Sequence, residues 1–399
     1  MARDAQHLEK GQPVGGASLL EDVSLPAAVI FESALANNIA WMQRFADSHG
    51  ARLAPHGKTS MTPALFHRQL GAGAWGITLA TAVQCAVAFR HGAQRLLMAN
   101  QLVGAPNMSI IADLIGQGAD YCCLVDSVDN VMALDRFFGA RGRTLQVLIE
   151  LGVPGGRCGV RDEAGLDALV HAIGEAGAIS LCGIEGYEGL IGGEQAVANV
   201  RTYSQRLVDS VRKLRDVGAF AGRKPIITAA GSQWFDLIAE AFDRSDLRDH
   251  CVPILRPGCY VVHDHRSYRD ALAEVKARHP ELEGGLEPAL AVFAHVQSLP
   301  ERGMAVIAMG KRDISCDPDL PIPLQRHRPG ETARPLDGCV VRKIMDQHTM
   351  LVIPANADLR VGDVLSFGAS HPCLTFDKWR QILRVDDELR VLEAMPAYF

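Results

Sequence analysis

A lysine near the end of a short apolar run is the first residue whose type and position suggest chemistry. Lys58 follows the run 52–55 in the segment Ala54-Pro55-His56-Gly57-Lys58-Thr59. Partial burial at the end of a strand lowers the pKa of a lysine amine, which suits the amine to imine chemistry. A surface lysine in a loop would explain the same position. Lys58 is a candidate nucleophile, and the alternative of a surface lysine stays open.

Two further segments place one functional side chain among glycines. Arg157 lies in Gly155-Gly156-Arg157-Cys158-Gly159, and Tyr187 lies in Gly186-Tyr187-Glu188-Gly189. Glycine lets a backbone approach a ligand closely. The guanidinium could then point at a bound molecule, and the phenol ring could stack on a flat one. A flexible loop with a surface arginine and a tyrosine that covers the core are the alternatives.

Small residues in front of a helical pattern indicate a phosphate site. The segment Thr228-Ala229-Ala230-Gly231-Ser232 precedes a helical run that starts at Gln233. The N–H groups at a helix N-terminus bind anions, but this signal alone has little specificity. The segment Leu255-Arg256-Pro257-Gly258-Cys259-Tyr260 follows as a further loop.

A histidine and a cysteine two residues apart suggest a metal site. His371 and Cys373 lie in Gly368-Ala369-Ser370-His371-Pro372-Cys373, and imidazole and thiolate are good zinc ligands. Two ligands leave such a site incomplete, so water or substrate would have to complete it. By spacing alone, a chance pairing explains the two residues as well. The nearby His295 and His348 do not decide between these interpretations.

The first two thirds of the chain contain the elements that would position these residues. Short apolar runs alternate with helical patterns such as 33–49, 82–91, 107–117 and 199–217. The eight runs are 27–31, 52–55, 75–79, 95–99, 121–125, 145–150, 181–185 and 225–228. This alternation predicts a (β/α)8 barrel, in which functional residues follow the carboxyl ends of the strands. An open doubly wound sheet is the rival, but no glycine-rich nucleotide motif opens the first unit.

The pattern changes after about Tyr268. Strand-like runs with tight turns replace the helical periodicity, and prolines mark a long loop around 318–329. We therefore expect an N-terminal segment over 1–25 that packs on the β domain, a barrel over 26–268, and a mostly antiparallel β domain over 269–399.

Composition excludes several classes of protein. The net charge of −6 and the 22% of charged residues do not favour nucleic acid, which needs a basic face. No apolar stretch is long enough to cross a membrane, and the N-terminus has no apolar core of a signal peptide. Several of the ten cysteines lie in apolar runs, which predicts buried, reduced thiols and a cytoplasmic location.

Taken together, these segments resemble one enzyme family. The segments that carry the resemblance are Pro55-His56-Gly57-Lys58-Thr59, Arg157-Cys158-Gly159-Val160, Gly186-Tyr187, Gly231-Ser232, Pro257-Gly258-Cys259-Tyr260 and His371-Pro372-Cys373. They occur in the order seen in D-serine dehydratases and D-threonine aldolases, from about Pro26 to Trp379. These are pyridoxal-phosphate (PLP) enzymes of fold type III, relatives of alanine racemase. The resemblance implies an alanine racemase-like barrel followed by a C-terminal β domain.

The resemblance also implies roles for individual residues. Lys58 would carry PLP as a Schiff base and move the proton of the substrate's Cα. Tyr187 would lie beside the cofactor and act with Lys58 in catalysis, and Arg157 would contact the side of the ring. The remaining cofactor-binding residues would be Thr228, Gly231, Ser232, Gly258 and Tyr260. His371 and Cys373 would bind a metal ion, and the family implies a homodimer.

The metal pair bears on the reaction. D-serine dehydratases of this family carry His-x-Cys with zinc, whereas the aldolases carry His-x-Asp. A thiolate favours zinc over manganese or magnesium, so Cys373 favours dehydration of D-serine, or of a related β-hydroxy D-amino acid, to a 2-keto acid and ammonia. A metal-dependent D-threonine or 3-hydroxyaspartate aldolase is the alternative, and a racemase or a non-catalytic PLP-binding protein are others. Ala54, which replaces a family arginine, Ser60-Met61-Thr62-Pro63 and Gly155-Gly156 depart from the pattern and affect the choice of substrate.

Overall fold

The computed structural model of the chain describes residues 9–13, 16–220, 222–244 and 247–399. These residues form two compact units. The barrel unit comprises Ala40–Lys58 and Leu65–Gly258, and the sheet unit comprises Thr59–Ala64, Cys259–Phe399 and the described part of 1–39. This division differs from the expected barrel of 26–268, because residues at both ends of that range and the short segment after Lys58 belong to the sheet unit.

The helices and strands alternate along the first two thirds of the chain, as the sequence predicts. The described strands are β1 Ala27–Phe31, β2 Arg52–Leu53, β3 Ile77–Leu79, β4 Arg95–Gln101, β5 Asp120–Val125, β6 Leu145–Leu151, β7 Ile179–Gly186, β8 Ile226–Ala229, β9 Val252–Leu255, β10 Leu290–Glu301, β11 Met304–Ile307, β12 Ile322–His327, β13 Arg334–Pro335, β14 Val340–Ile344, β15 Thr349–Val352, β16 Val364–Gly368, β17 Gln381–Val385 and β18 Val391–Pro396. The described helices are α1 Glu32–Ser48, α2 Pro63–Gly71, α3 Ala82–Arg90, α4 Ala105–Gly116, α5 Val128–Gly139, α6 Glu163–Glu175, α7 Ala196–Asp216, α8 Phe235–Asp243, α9 Leu247–His250, α10 Ser267–Arg278 and α11 Cys373–Phe376, with short 3₁₀ turns at Gly57–Thr59 and Cys259–Val261.

The barrel unit is built on a closed parallel sheet. Among the described strands, its order is β2-β9-β8-β7-β6-β5-β4-β3, and each neighbouring pair is parallel. The ends meet where the Trp75 N–H donates to the Leu53 carbonyl at 2.6 Å and the Thr78 N–H donates to the Pro55 carbonyl at 2.9 Å. The predicted (β/α)8 barrel is confirmed. Both faces of its strands are covered, which explains why they read as continuous apolar runs.

One predicted barrel strand belongs elsewhere. Strand β1 pairs with β10 and β17 in the sheet unit, so the prediction that the run 27–31 opens the barrel is wrong. The barrel strand missing from the prediction is β9, because only the loop that follows it, 255–260, was singled out. A short apolar run indicates that both faces of a strand are buried, but it does not indicate which sheet the strand belongs to. In β1, the successive residues Val29 and Ile30 point to opposite faces of the sheet, and both are fully buried.

The sheet unit is mostly antiparallel, as predicted. Its main path in the described residues is β13-β12-β16-β10-β1-β17-β18, with β11, β15 and β14 continuing from β10. The N-terminal segment packs on this sheet: Leu19 lies in its apolar core, and the Leu19 N–H donates to the Leu389 carbonyl at 2.9 Å. In the part of the chain that the structure describes, no helix is both long and apolar enough to span a bilayer.

Candidate active site

A cavity of about 200 Å³ opens at the carboxyl ends of the barrel strands. The residues that line it are His56, Lys58, Ala80, Ala99, Asn100, Leu124, Glu150, Arg157, Cys158, Glu185, Tyr187 and Arg256. Lys58, Arg157 and Tyr187, which the sequence singled out separately, therefore meet in one place. This is the end of a barrel where substrates bind in enzymes of this architecture.

Lys58 is positioned by a tight 3₁₀ turn directly after β2. A Cβ at Gly57 would lie 2.8 Å from Cε1 of Phe66 and 2.9 Å from Cγ2 of Ile77, so only glycine fits before the lysine. The Lys58 side chain is exposed to the cavity. Burial, followed by the charges of Lys58 and Arg256, holds the pKa of His56 well below its usual value. The His56 ring is therefore neutral at physiological pH.

The loop that carries Arg157 is folded tightly on itself. Gly159 has φ +94°, and a Cβ there would lie 2.3 Å from the Gly152 nitrogen. The Arg161 guanidinium donates to the carbonyls of Cys158 and Gly159, both at 2.6 Å. Gly159 thus serves backbone packing rather than the close approach of a ligand. The closed loop presents the Arg157 guanidinium 4.5 Å from the centre of the Tyr187 ring.

A buried ion pair forms one wall of the cavity, and sequence reasoning missed it. Arg256 is 5% exposed and Glu185 is 2% exposed, and the Arg256 Nη2 donates to a Glu185 carboxylate oxygen. Burial raises the pKa of Glu185 to about 7, although Arg256 opposes that rise. The sequence carried a usable signal, since Glu185 is an acid at the end of an otherwise apolar run. Arg256 escaped notice because β9, which it follows, was not counted as a barrel strand.

Thr228 supports this arginine. The Arg256 Nε donates to the Thr228 hydroxyl oxygen at 2.9 Å, and that hydroxyl donates to the Ile254 carbonyl at 3.0 Å. Both hydrogen bonds are made within the protein. The role of Thr228 in cofactor binding stays a prediction, and the contacts suggest that it would act through Arg256.

Two backbone amides of the predicted phosphate segment after β8 already bind the Glu188 carboxyl group. The Gly231 N–H donates to Oε1 of Glu188 at 2.6 Å, and the Ala230 N–H donates to Oε2 at 3.1 Å. Ser232 follows as a half-buried residue before α8. Gly258 ends the barrel unit, whereas Tyr260 lies buried in a 3₁₀ turn of the sheet unit. The roles of Gly231, Ser232, Gly258 and Tyr260 in phosphate binding stay predictions.

One group of potential metal ligands lies beside the cavity. In the described residues, donor atoms of Asp126, Glu150 and Cys158 all lie within 4.8 Å of one another. Both carboxylates already have hydrogen bonds: Asp126 accepts from the Gly159 N–H at 2.8 Å and Glu150 accepts from the Gln101 amide at 2.6 Å. The Asp126 contact holds the Arg157 loop in place.

The sheet unit brings a histidine and two thiols together. Sγ of Cys373 lies 3.5 Å from Sγ of Cys259 and 3.4 Å from Oγ1 of Thr59. Hydrogen bonds from Cys259 and then His371 lower the pKa of Cys373, and the bond to Cys373 raises the pKa of His371. The predicted pair His371 and Cys373 is therefore in contact. A thiolate and an imidazole side by side are donors that suit zinc.

A pair of buried histidines in the sheet unit was not predicted. His263 has φ +50°, and neither of its ring nitrogens has a hydrogen-bond partner among the described residues, although the side chain is buried. Burial lowers the pKa of His263 and of the neighbouring His265 to about 4. Both rings are neutral at physiological pH, and no motif in the sequence marked them.

Two relatives with named activities match part of the chain. The chain is 28% identical over 187 residues to the D-threonine aldolase of an Arthrobacter species, an alignment that covers 47% of this chain and 48% of that protein. It is 37% identical over 136 residues to the D-threo-3-hydroxyaspartate dehydratase of Delftia sp. strain HT23, covering 34% of this chain and 35% of that protein. The chain thus spans about half or less of the length of these two relatives.

The fold is shared over almost the whole chain. The crystal structure of the D-threonine aldolase from Filomicrobium marinum matches with a TM-score of 0.80 at 25% identity, covering 96% of this chain and 97% of that one. The family described as “Putative serine dehydratase domain” matches residues 289–385, and the family described as “Alanine racemase, N-terminal domain” matches residues 30–258. Since the latter match covers more than half of the 399 residues, the chain belongs to the alanine racemase N-terminal domain family of fold-type III PLP proteins.

Proposed function

We propose that the protein is a PLP- and zinc-dependent lyase that converts D-serine, or a related β-hydroxy D-amino acid, to a 2-keto acid and ammonia. The observation that carries the proposal is the convergence of Lys58, Arg157 and Tyr187 on one cavity at the mouth of the barrel. Relatives named for aldolase and dehydratase reactions on D-amino acids support the reaction class.

The residues around the cavity fit a flat, anionic cofactor. Two guanidinium groups, those of Arg157 and Arg256, supply positive charge, and the Tyr187 ring supplies a flat surface. Nδ1 of His56 and Oε2 of Glu185 are buried without a hydrogen-bond partner among the described residues. Buried polar atoms normally have partners, so these two are expected where a ligand completes a site.

Each of these side chains would have a separate task. The Lys58 amine would hold the cofactor and carry the proton that leaves the substrate's Cα. The Arg157 guanidinium lies 4.5 Å from the centre of the Tyr187 ring, and the two groups together would fix the plane of the cofactor ring. Arg256, oriented by Glu185 and Thr228, would present a fixed positive charge to the cofactor. PLP would supply the electron sink that makes loss of the Cα proton possible.

The metal would be held by His371 and Cys373. The donor set supports zinc, because thiolate ligands select it over manganese and magnesium. As a Lewis acid, zinc would make the substrate's β-hydroxyl a better leaving group. Elimination is therefore proposed in preference to cleavage of the Cα–Cβ bond.

Product analysis tests the proposal. Purified protein supplied with PLP and zinc is incubated with D-serine and, separately, with D-threonine. Pyruvate and ammonia from D-serine are the expected products. Glycine and acetaldehyde from D-threonine would instead establish the aldolase, which the 28% identity to a D-threonine aldolase makes the second candidate. Cofactor binding with no turnover of any D-amino acid would leave a PLP-binding protein without catalytic activity.

The proposal extends to the setting of the enzyme. We propose a cytoplasmic homodimer that acts on small amino acids without a nucleic-acid or membrane partner. Light scattering during size-exclusion chromatography would test the dimer, because a mass near twice that of the 43.1 kDa chain is expected.

A further inference from the structure

Two thiols of the sheet unit lie in direct contact. Sγ of Cys259 and Sγ of Cys373 are 3.5 Å apart, although the two residues are 114 positions apart in the chain, and both cysteines are reduced. A disulfide joins two sulfur atoms at about 2.0 Å, so the two sulfurs need to approach each other by only about 1.5 Å. Rotation about χ1 moves a cysteine sulfur by such a distance. The pair is therefore close to the geometry of a disulfide.

The two thiols differ in their access to solvent. Cys373 is half-buried, whereas Cys259 is only 4% exposed. An accessible thiol that is oxidised first, beside a second thiol that then attacks it, is the usual arrangement of a redox-sensing pair. Cys122 and Cys182 of the barrel unit also interact, but they are 4% and 6% exposed, so neither is presented to a dissolved oxidant.

Polar neighbours keep the two sulfurs side by side. Oγ1 of Thr59 lies 3.4 Å from Sγ of Cys373 and 3.9 Å from Sγ of Cys259. Cys373 is also hydrogen-bonded to His371, and Cys259 is also hydrogen-bonded to Tyr268. All five residues belong to the sheet unit, so the pair is assembled within one compact unit.

We infer that Cys259 and Cys373 form a redox switch: a hydroperoxide converts them to a disulfide, which removes Cys373 from the proposed zinc site. The Cys373 sulfur attacks one oxygen of hydrogen peroxide, the O–O bond breaks, and water leaves, which gives a sulfenic acid. The Cys259 sulfur then attacks the Cys373 sulfur, the S–O bond breaks, and a second water leaves with the thiol proton. Two thiols are oxidised and one peroxide is reduced to two waters.

The regulatory part of the inference rests on the proposed function, because it takes zinc as the metal that Cys373 binds. The disulfide itself depends only on the contact between the two sulfurs. A metal ion bound to Cys373 would occupy the sulfur that attacks the peroxide. Zinc and the oxidant therefore compete for the same atom.

Peroxide treatment of the full-length protein, with and without bound zinc, tests the inference. Unreacted thiols are then alkylated in denaturant, and the peptides are mapped by mass spectrometry. Without zinc, we expect a cross-link between the peptides of Cys259 and Cys373 and a protein that is lighter by two hydrogen atoms. Zinc affinity should fall by about a hundredfold or more, because a ligand is lost, and dithiothreitol should restore it. Zinc bound beforehand should slow the reaction.

Cys259→Ser distinguishes the switch from ordinary oxidative damage. Without the second thiol, Cys373 should be oxidised further to a sulfinic acid, which thiols do not reduce. Dithiothreitol should then fail to restore zinc binding. Cys339→Ser, at another half-buried cysteine of the sheet unit, is the matched control and should behave as wild type.

The outcomes separate the inference from the proposed function. Wild-type protein that binds zinc but forms no cross-link between Cys259 and Cys373 would overturn the inference and leave the proposed function intact. A Cys259→Ser protein that recovers zinc binding as fully as wild type would do the same. A cross-linked protein that binds zinc as well as the reduced form would overturn both the switch and the role of Cys373 as a ligand. Reduced protein that binds no zinc would overturn the proposed metal site and the switch together.

Discussion

The barrel cavity and the proposed metal pair, His371 and Cys373, are assembled in opposite ways. The cavity takes side chains from the ends of strands that are far apart in sequence, from His56 to Arg256, and includes a buried ion pair. The two residues of the metal pair are separated in sequence by Pro372 alone. The cavity therefore depends on the register of the whole barrel, whereas the metal pair depends mainly on local backbone. Substitutions in the two regions should have different consequences.

The largest effect is expected at Lys58. Lys58→Ala removes both the group that would hold the cofactor and the group that would move the Cα proton, so activity should fall by about a thousandfold or more. The visible absorption band of bound PLP should disappear as well. Lys224→Ala, at an exposed lysine of the barrel unit, should change neither property. A Lys58→Ala protein that keeps the band would show that Lys58 is not the residue that holds the cofactor.

The next effect is expected on stability, at the buried ion pair. Arg256→Met leaves the buried Glu185 carboxyl group without its partner, which should lower the free energy of unfolding by about 3–5 kcal/mol. Urea denaturation would measure this change. Adding Glu185→Gln should recover part of the loss, because no unpaired charge is left. Arg248→Met breaks an exposed pair with Asp243, 44% and 38% exposed, and should cost about 1 kcal/mol or less.

The smallest structural effect is expected at the metal pair. Cys373→Ser should weaken zinc binding by about a hundredfold or more, since even residues behind a metal ligand contribute ten- to a hundredfold. The free energy of unfolding of the metal-free protein should change by about 1 kcal/mol or less. Competition with a chromogenic chelator would measure the affinity, with Cys339→Ser as the control. A loss of stability like that of Arg256→Met would contradict the contrast between the two regions.

The sequence predicted the barrel and the residues that line its cavity better than it predicted the ion-pair and hydrogen-bond partners of those residues. Alternating apolar runs were sufficient for the fold, and the position of Lys58, Arg157 and Tyr187 at strand ends was sufficient to bring them together. The run 27–31 was assigned to the wrong sheet, because burial on both faces is common to a barrel strand and to β1. That error removed β9 from the barrel and hid Arg256, which shows how one wrong strand affects the reading of a site.

Hydrogen bonds were the part that sequence reasoning could not provide. The segment 228–232 has the small residues of a phosphate site, but the use of two of its amides by Glu188 depends on how two loops meet. The contact between Cys259 and Cys373 likewise joins positions more than a hundred residues apart. Spacing along the chain carries no information about such pairs, whereas His371 and Cys373 are close for local reasons alone.

The course of the chain has a consequence for its synthesis. The polypeptide contributes three segments to the sheet unit and two to the barrel unit. A nascent chain that has reached Gly258 contains every strand of the barrel sheet, yet its β1 still lacks β10 and β17, which are made later. An apolar strand without partners is prone to pair with other chains. Fragments that end between residues 258 and 290 therefore leave β1 without its partner strands, whereas a chain that includes β10 and β17 pairs it on both edges.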